Sequence, residues 1–316
     1  MSKIEKALNR ARGAGQLQVI QGAGKEISSP TEGDQLPMPH RLAARSPRDL
    51  EHRALSSQAI ARMREPSLRS KQELAESRVI FPDRAENDTV KAMREIRTKV
   101  VQRTQGRNCV LMISSIAPGG GGSFVAFNLS VAFAFDAGQT ALLVDCNLRD
   151  PSLPRLFSDM PQVGLTDYLE DPSLNVSEII HPIGIERLRV IPAGGRRETP
   201  TEYFTSVRMR QMLDGVLDRY PERYVILDAP PMTEAADAHM LAQLSDFVLL
   251  VAPYGRVTVA DVAAVVKEIP AEKVLGLVFN DEPGLPTWSW REMLKEAFAG
   301  ALRMVNPLGR KTRTVT

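Results

Sequence analysis

The chain has 316 residues, enough for one large or two ordinary domains. Its 43% hydrophobic content can fill a substantial core, and its formal net charge of +2 leaves no global basic field of the kind that attracts nucleic acid. The two cysteines, Cys109 and Cys146, fit a reducing compartment and no disulfide framework. No apolar run approaches the roughly 18 residues of a membrane-spanning helix, and the start of the chain lacks the apolar stretch of a signal peptide. These features together give the expectation of a cytoplasmic protein.

In chain order, residues 2–13 read as a short helix, with Ser2 and Glu5 at capping-box spacing. Residues 14–45, rich in Gly, Pro, Ser and Gln, read as a linker. Ser46-Pro47 opens a second helix that runs to about Arg64, with proline at its first position. Residues 1–75 hold 13 basic and 8 acidic side chains. They read as a helical, partly disordered arm that is either simply solvated or a docking arm for a partner or anionic lipid.

From about residue 76 the pattern is α/β. A helix is expected at 85–103. Strands are expected at 109–114, 141–145, 187–192, 224–228, 246–252 and 274–279, and helices between them at 123–137, 204–219, 235–244 and 258–268. Runs such as Ala141-Leu142-Leu143-Val144 and Phe247-Val248-Leu249-Leu250-Val251 are apolar without alternation, as strands buried on both faces are. A doubly wound, mainly parallel sheet follows, with ligands at the carboxyl ends of its strands. Helical spacing returns in Glu292 to Met304, behind Trp288 and Trp290 and before a basic tail. The expected organisation is an arm (1–75), an α/β domain (76–284) and a C-terminal helix with tail (285–316). His40, His52, His181 and His239 have no metal-ligand spacing.

Three strand ends carry the candidate chemistry. After Val110-Leu111-Met112-Ile113 come Ser114 to Pro118, then Gly119, Gly120, Gly121, Gly122 and Ser123, then a helical run. Strand, glycine loop, serine and helix is the layout of a P-loop, whose backbone N–H groups wrap phosphates. The pattern asks for Lys where Gly122 stands. Asp145 directly follows Leu142-Leu143-Val144, and Asp228 directly follows Val225-Ile226-Leu227. A carboxylate at the end of a buried strand is costly unless it has a partner. Beside a P-loop such an Asp holds Mg²⁺ directly or through water.

These segments resemble those of the bacterial tyrosine kinases (BY-kinases, CpsD/CapB-like) of capsule and exopolysaccharide systems, relatives of the MinD/ParA ATPases. The glycine loop resembles the family's Walker A, the Asp145 segment its Walker A′ and the Asp228 segment its Walker B. Gly164-Leu165-Thr166-Asp167-Tyr168-Leu169, Pro200-Thr201-Glu202-Tyr203-Phe204-Thr205-Ser206, Ala235-Ala236-Asp237-Ala238 and Gly276-Leu277-Val278-Phe279-Asn280 resemble further family segments. The likeness covers roughly residues 85–282. It implies a P-loop NTPase fold and ATP with Mg²⁺ as cofactors. It also implies Asp145 and Asp228 as catalytic residues, Gly119 to Gly122, Ser123 and Asn280 around the nucleotide, and Ser123, Asp145 and Asp228 at the metal. Asn280 would border the adenine. The implied partner is a membrane-spanning polysaccharide chain-length regulator or export protein, which would place the chain peripherally at the inner face of the membrane.

The departures bear on activity. Gly122 replaces the P-loop Lys, and Asn147 stands where the family has a second Asp. The family's Glu-x-x-Arg-x-x-Arg oligomerisation motif reads here with Lys91, Arg94 and Arg97, so Arg94 and Arg97 are candidate contacts for homo- or hetero-oligomers. No tyrosine follows Tyr254, where the family has a phosphorylated cluster. Three readings result. The preferred one is a catalytically impaired regulator of polysaccharide synthesis and export. The others are an active tyrosine autokinase with an atypical loop and a MinD/ParA-like positioning ATPase.

Overall fold

The computed structural model describes residues 65–81, 88–157, 159–234 and 236–280, together with 19–20, 60 and 63. The expected helix at 2–13, most of that at 47–64, and the C-terminal helix and tail lie outside the described residues.

A short strand β1 (Val19–Ile20) comes first, followed by helices α1 (Lys71–Glu76) and α2 (Asp88–Thr104). The α/β succession is then β2 (Val110–Ser115), α3 (Gly122–Ala134), β3 (Thr140–Asp145), α4 (Leu165–Glu170), β4 (His181–Pro182), β5 (Leu188–Ile191), α5 (Thr201–Thr205), α6 (Val207–Arg219), β6 (Arg223–Asp228), α7 (Ala236–Leu244), β7 (Phe247–Pro253), α8 (Val259–Lys267) and β8 (Val274–Asn280). The strands form one sheet in the order β1-β8-β7-β2-β6-β3-β5-β4. All neighbours are parallel except β4 with β5.

The six long strands expected from unbroken apolar runs are present, each within two residues of its expected ends. Strands β2, β3, β6 and β7 are buried at every position. Helix α3 is apolar on all sides and buried along nearly its whole length, as a helix held between sheet and second layer must be. With α2 it covers one face of the sheet, around Phe127, Phe133, Ile96 and Val100. Met209, Met212, Leu213, Leu241 and Val262, from α6, α7 and α8, cover the other face. Among the described residues no helix is long and apolar enough to cross a membrane.

Three local expectations need correction. The helix expected at 204–219 is two helices, because Ser206 stands extended between them and its hydroxyl accepts the Met209 N–H as the cap of α6. Val19–Ile20, expected within a linker, pairs with Leu277 and Val278. Without β1 the outer edge of β8 would present unpaired backbone groups, and an extended segment can add to such an edge. The domain edge expected at 75/76 falls inside α1. Residues 65–75 are bonded into the domain: Glu65 forms an ion pair with Arg189, the Arg69 N–H donates to Gly184 O at 2.9 Å, and Leu74 is buried.

Candidate nucleotide site

Parallel pairing sets the site. Because β2, β3, β6, β7 and β8 run the same way, their carboxyl ends meet at one edge of the sheet. Register then fixes which residues face each other: Ile113 and Asp145 both pair with Asp228, Ser115 with Val251, and Pro253 with Asn280. The expected site residues Gly119 to Ser123, Asp145, Asp228 and Asn280 all lie at this edge.

The glycine loop turns the chain from β2 into α3. Gly119 and Gly121 have φ of +64° and +85°, where only glycine is unstrained, and Gly121 caps the helix. Helix geometry leaves the first-turn N–H groups of α3 without carbonyls in their own helix, directed at the loop's concavity. The loop is held from outside. Ile116 N–H donates to Val251 O at 2.8 Å, Met232 N–H to Ser115 O at 2.9 Å, and Thr233 Oγ1 to Ile116 O at 2.8 Å. Asn280 Nδ2 donates to Gly120 O at 3.2 Å and covers Gly121 so closely that a β-carbon there would lie 2.0 Å from it. Asn280 therefore leans on the glycine loop in this structure.

Gly122 is packed as glycine. A β-carbon at this position would stand 2.9 Å from the Ser115 backbone nitrogen, closer than real β-carbons come. The loop is thus built around the absence of the Lys side chain, and a Lys cannot be restored without moving the end of β2 or the start of α3.

Asp145 and Asp228 form a buried pair bridged by Ser152. Ser152 Oγ donates to Asp228 Oδ2 at 2.5 Å and lies 3.4 Å from Asp145 Oδ2. Asp145 also accepts the backbone N–H groups of Ser152 at 2.8 Å, Leu153 at 3.1 Å and Asn147 at 3.1 Å. Burial is the largest influence on both carboxyls and raises them above the ordinary carboxylate range, Asp145 to about 6 and Asp228 to about 7. For Asp228 the charge of Asp145 adds to burial, against hydrogen bonds from Ser152 and Ser123. Asp228 Oδ1 is buried without a hydrogen-bond partner. An orphaned carboxylate oxygen beside a second carboxylate, with the Ser123 hydroxyl near enough to favour the ionised form of Asp228, suits a divalent cation. Among the described residues no cluster of three or more His, Cys, Asp and Glu could hold a metal. A cation here would therefore rest on the two carboxylates and Ser123. Neighbouring Cys146 is fully buried and its thiol is pushed well up, first by burial, which makes it an inert packing residue.

Around this pair lies an outer set of contacts that was not readable from the sequence. Arg149 Nε donates to Asp237 Oδ2 at 3.2 Å, and Thr201 Oγ1 bonds the other oxygen of this buried carboxylate. These bonds join the Asp145 loop, α5 and α7. Arg197 forks onto Glu170 at 2.6 and 2.7 Å, and Tyr203 OH donates to the same carboxylate at 2.6 Å, which holds Glu170 down at about 2. Only the residue types signal these pairs; their partners lie 27–88 positions away. Of the candidate oligomer contacts, Arg97 Nη1 donates to Ala132 O at 3.1 Å, in the last turn of α3. This guanidinium is engaged within the fold. Arg94 lies on the outer groove of α2 with Lys91, Glu95, Thr98, Lys99 and Gln102.

No family model matches the chain. It is 33% identical over 191 residues to the tyrosine-protein kinase YwqD of Bacillus subtilis, covering 59% of this chain and 78% of that protein. It is 29% identical over 181 residues to the succinoglycan biosynthesis transport protein ExoP of Rhizobium meliloti, 54% of this chain but 22% of that protein's own length. The chain thus spans a minor part of its long relatives. The kinase domain of the Escherichia coli tyrosine kinase ETK superposes with a TM-score of 0.62 at 24% identity, over 92% of this chain and 100% of that domain. A P-loop at the end of β2, two strand-end carboxylates in register and these relatives together place the chain in the bacterial tyrosine-kinase family, on a mainly parallel P-loop NTPase fold.

Proposed function

We propose that this chain is a BY-kinase-like regulator of exopolysaccharide or capsule production that binds nucleotide and acts by assembly with a membrane-spanning export partner, not by efficient phosphoryl transfer. The observation that carries this reading is Gly122. The position that should hold the catalytic cation has no side chain, and a β-carbon there would press on the Ser115 backbone nitrogen at 2.9 Å.

The remaining parts suit binding. The N–H groups at the start of α3 would hold nucleotide phosphates, and Ser123, Asp145 and Asp228 would hold Mg²⁺. Bound ATP·Mg²⁺ would supply a transferable phosphoryl group. A charged hydrogen bond to that group contributes about 1.5–3 kcal/mol to binding. Its loss costs more in transfer, where charge develops on the phosphoryl oxygens. Arg149, Asp237 and Thr201 would keep the Asp145 loop aligned with its neighbours whichever ligand is bound.

One observation favours the active autokinase. Of the five tyrosines, Tyr168 and Tyr224 are buried and Tyr203 is bonded to Glu170, but Tyr254 is 49% exposed and lies on the loop that packs against the glycine loop. The regulator reading is tested in the source organism by deleting the gene and restoring it with Asp145→Ala/Asp228→Ala or wild type, while measuring exported polysaccharide and recovery of the protein with membranes. The reading requires polysaccharide output to change on deletion and the wild-type protein to co-fractionate with membranes only when the export partner is present. Unchanged polysaccharide on deletion would sink it.

A further inference from the structure

We propose that Arg256 supplies the positive charge that the glycine loop lacks, by binding the phosphates of a nucleotide in the cradle. This deepens the nucleotide-binding part of the proposed function and rests on it.

The first observation is a deficit. From residue 108 to residue 148 the chain has no Lys or Arg, although this stretch contains the whole cradle as well as Asp145. The titratable groups beside the loop, Asp145 and Asp228, are acidic, so the cradle itself supplies no positive charge. A triphosphate brought there would meet N–H dipoles from α3 but no cation from the loop itself, because Gly122 has no side chain to supply one. Any compensating charge must reach the loop from another segment.

The structure brings one such group to it. The segment after β7 folds back over the glycine loop: Pro253 Cδ lies 3.1 Å from where a β-carbon on Gly120 would stand, and Tyr254 N–H donates to Asn280 O at 2.8 Å. Gly255, with φ of +70°, closes a turn in which Arg256 N–H donates to Pro253 O at 3.2 Å. Two residues later Thr258 and Asp261 form the capping box that starts α8. The backbone of Arg256 is therefore fixed on both sides, while its side chain is exposed. Its Nη2 donates to Gly119 O at 2.9 Å, and Nη1 is 3.7 Å from the β-carbon position of Gly119. The guanidinium thus already rests on the loop's rim.

A neutral carbonyl on an exposed rim is a weak acceptor compared with a phosphate. Guanidinium pairs with phosphate through two parallel, charge-assisted bonds and is the side chain best matched to that geometry. The orphaned, buried Asp228 Oδ1 marks the same edge of the sheet as built for a ligand that carries a cation.

The test is a calorimetric titration of the full chain with ATP·Mg²⁺ and, separately, with Mg²⁺-tripolyphosphate, which has phosphates and no base. Wild type, Arg256→Ala, Arg256→Lys and a remote control, Arg210→Ala on α6, are compared, with melting curves of the ligand-free proteins to establish equal folding. Loss of one charged contact predicts that Arg256→Ala weakens both ligands by roughly tenfold or more. Arg256→Lys should fall between, and Arg210→Ala should match wild type. Equal affinities for wild type and Arg256→Ala overturn the inference while leaving nucleotide binding intact. A loss for ATP but not for tripolyphosphate also overturns it, because the contact would then be to the nucleoside. If the wild type binds neither ligand at millimolar concentration, the inference and the nucleotide reading fall together.

Discussion

Asp228→Asn isolates the most strained electrostatic feature of the site. In the free protein Asp145 and Asp228 are both fully buried, and burial is the first cause that raises them, to about 6 and about 7 against an ordinary value of 3.8. The folded state therefore holds protons that the unfolded chain has released. By linkage, the stability this contributes is complete below pH 3.8 and is lost as pH rises through about 6 and 7. With each pKa unit equivalent to about 1.4 kcal/mol, wild type should lose on the order of 2–4 kcal/mol between about pH 5 and pH 8 in EDTA. Asparagine can still accept the Ser152 hydroxyl and removes the facing charge, so Asp228→Asn should lose about 1 kcal/mol or less over the same interval. It should be more stable than wild type at pH 8. Millimolar Mg²⁺ should reverse the order, stabilising wild type at pH 8 and not the variant. Urea unfolding followed by far-ultraviolet circular dichroism, with EDTA or Mg²⁺, gives all four quantities. Wild-type stability that is level or rising from pH 5 to 8, or a variant less stable than wild type at pH 8 in EDTA, would refute the reasoning.

Three other outcomes follow from the packing. Gly122→Ala should destabilise by about 1–3 kcal/mol through overpacking against Ser115 N, although alanine ordinarily favours a helix by about 1 kcal/mol; a higher melting temperature would contradict the tight fit. Gly122→Lys should carry the same penalty, so any gain in ATP affinity should come with a lower melting temperature of the free protein. Glu65→Ala breaks a pair whose side chains are 4% and 12% exposed and removes the acceptor of the Gly184 N–H, and should cost about 3–5 kcal/mol in chemical denaturation. Arg97→Ala should lower the melting temperature by about 2–4 °C through loss of its bond to Ala132 O, and sedimentation should show no change in oligomeric state.

The framework was legible in the sequence because buried parallel strands write themselves as unbroken apolar runs. The strand-end carboxylates Asp145 and Asp228 were legible as candidates because an Asp closing such a run is too costly to bury without a ligand or partner, and the register of β3 and β6 sets them side by side. The two-residue strands Val19–Ile20 and His181–Pro182 carry no periodicity and exist only through an available edge. Ser206 could have been read as a cap, but the apolar spacing on either side runs through it. Ser152, Arg149 and Arg256 were not identifiable because each acts on a residue 76–137 positions away. Arg97 was marked by a motif position, and its bond to Ala132 O on the C-terminal turn of α3 is a contact that no sequence spacing reveals. The space around Gly122 is likewise a property of the folded loop alone.

A cradle built around Gly122 should bind nucleotide without transferring phosphate efficiently. Intact-mass spectrometry of the purified chain after incubation with saturating ATP·Mg²⁺, followed by mapping of any phosphotyrosine, tests this most directly. The expected result is an unmodified mass over hours, with binding detected in parallel by calorimetry. Stoichiometric phosphotyrosine, at Tyr254 or elsewhere, that disappears in Asp145→Ala would contradict it and establish an active kinase.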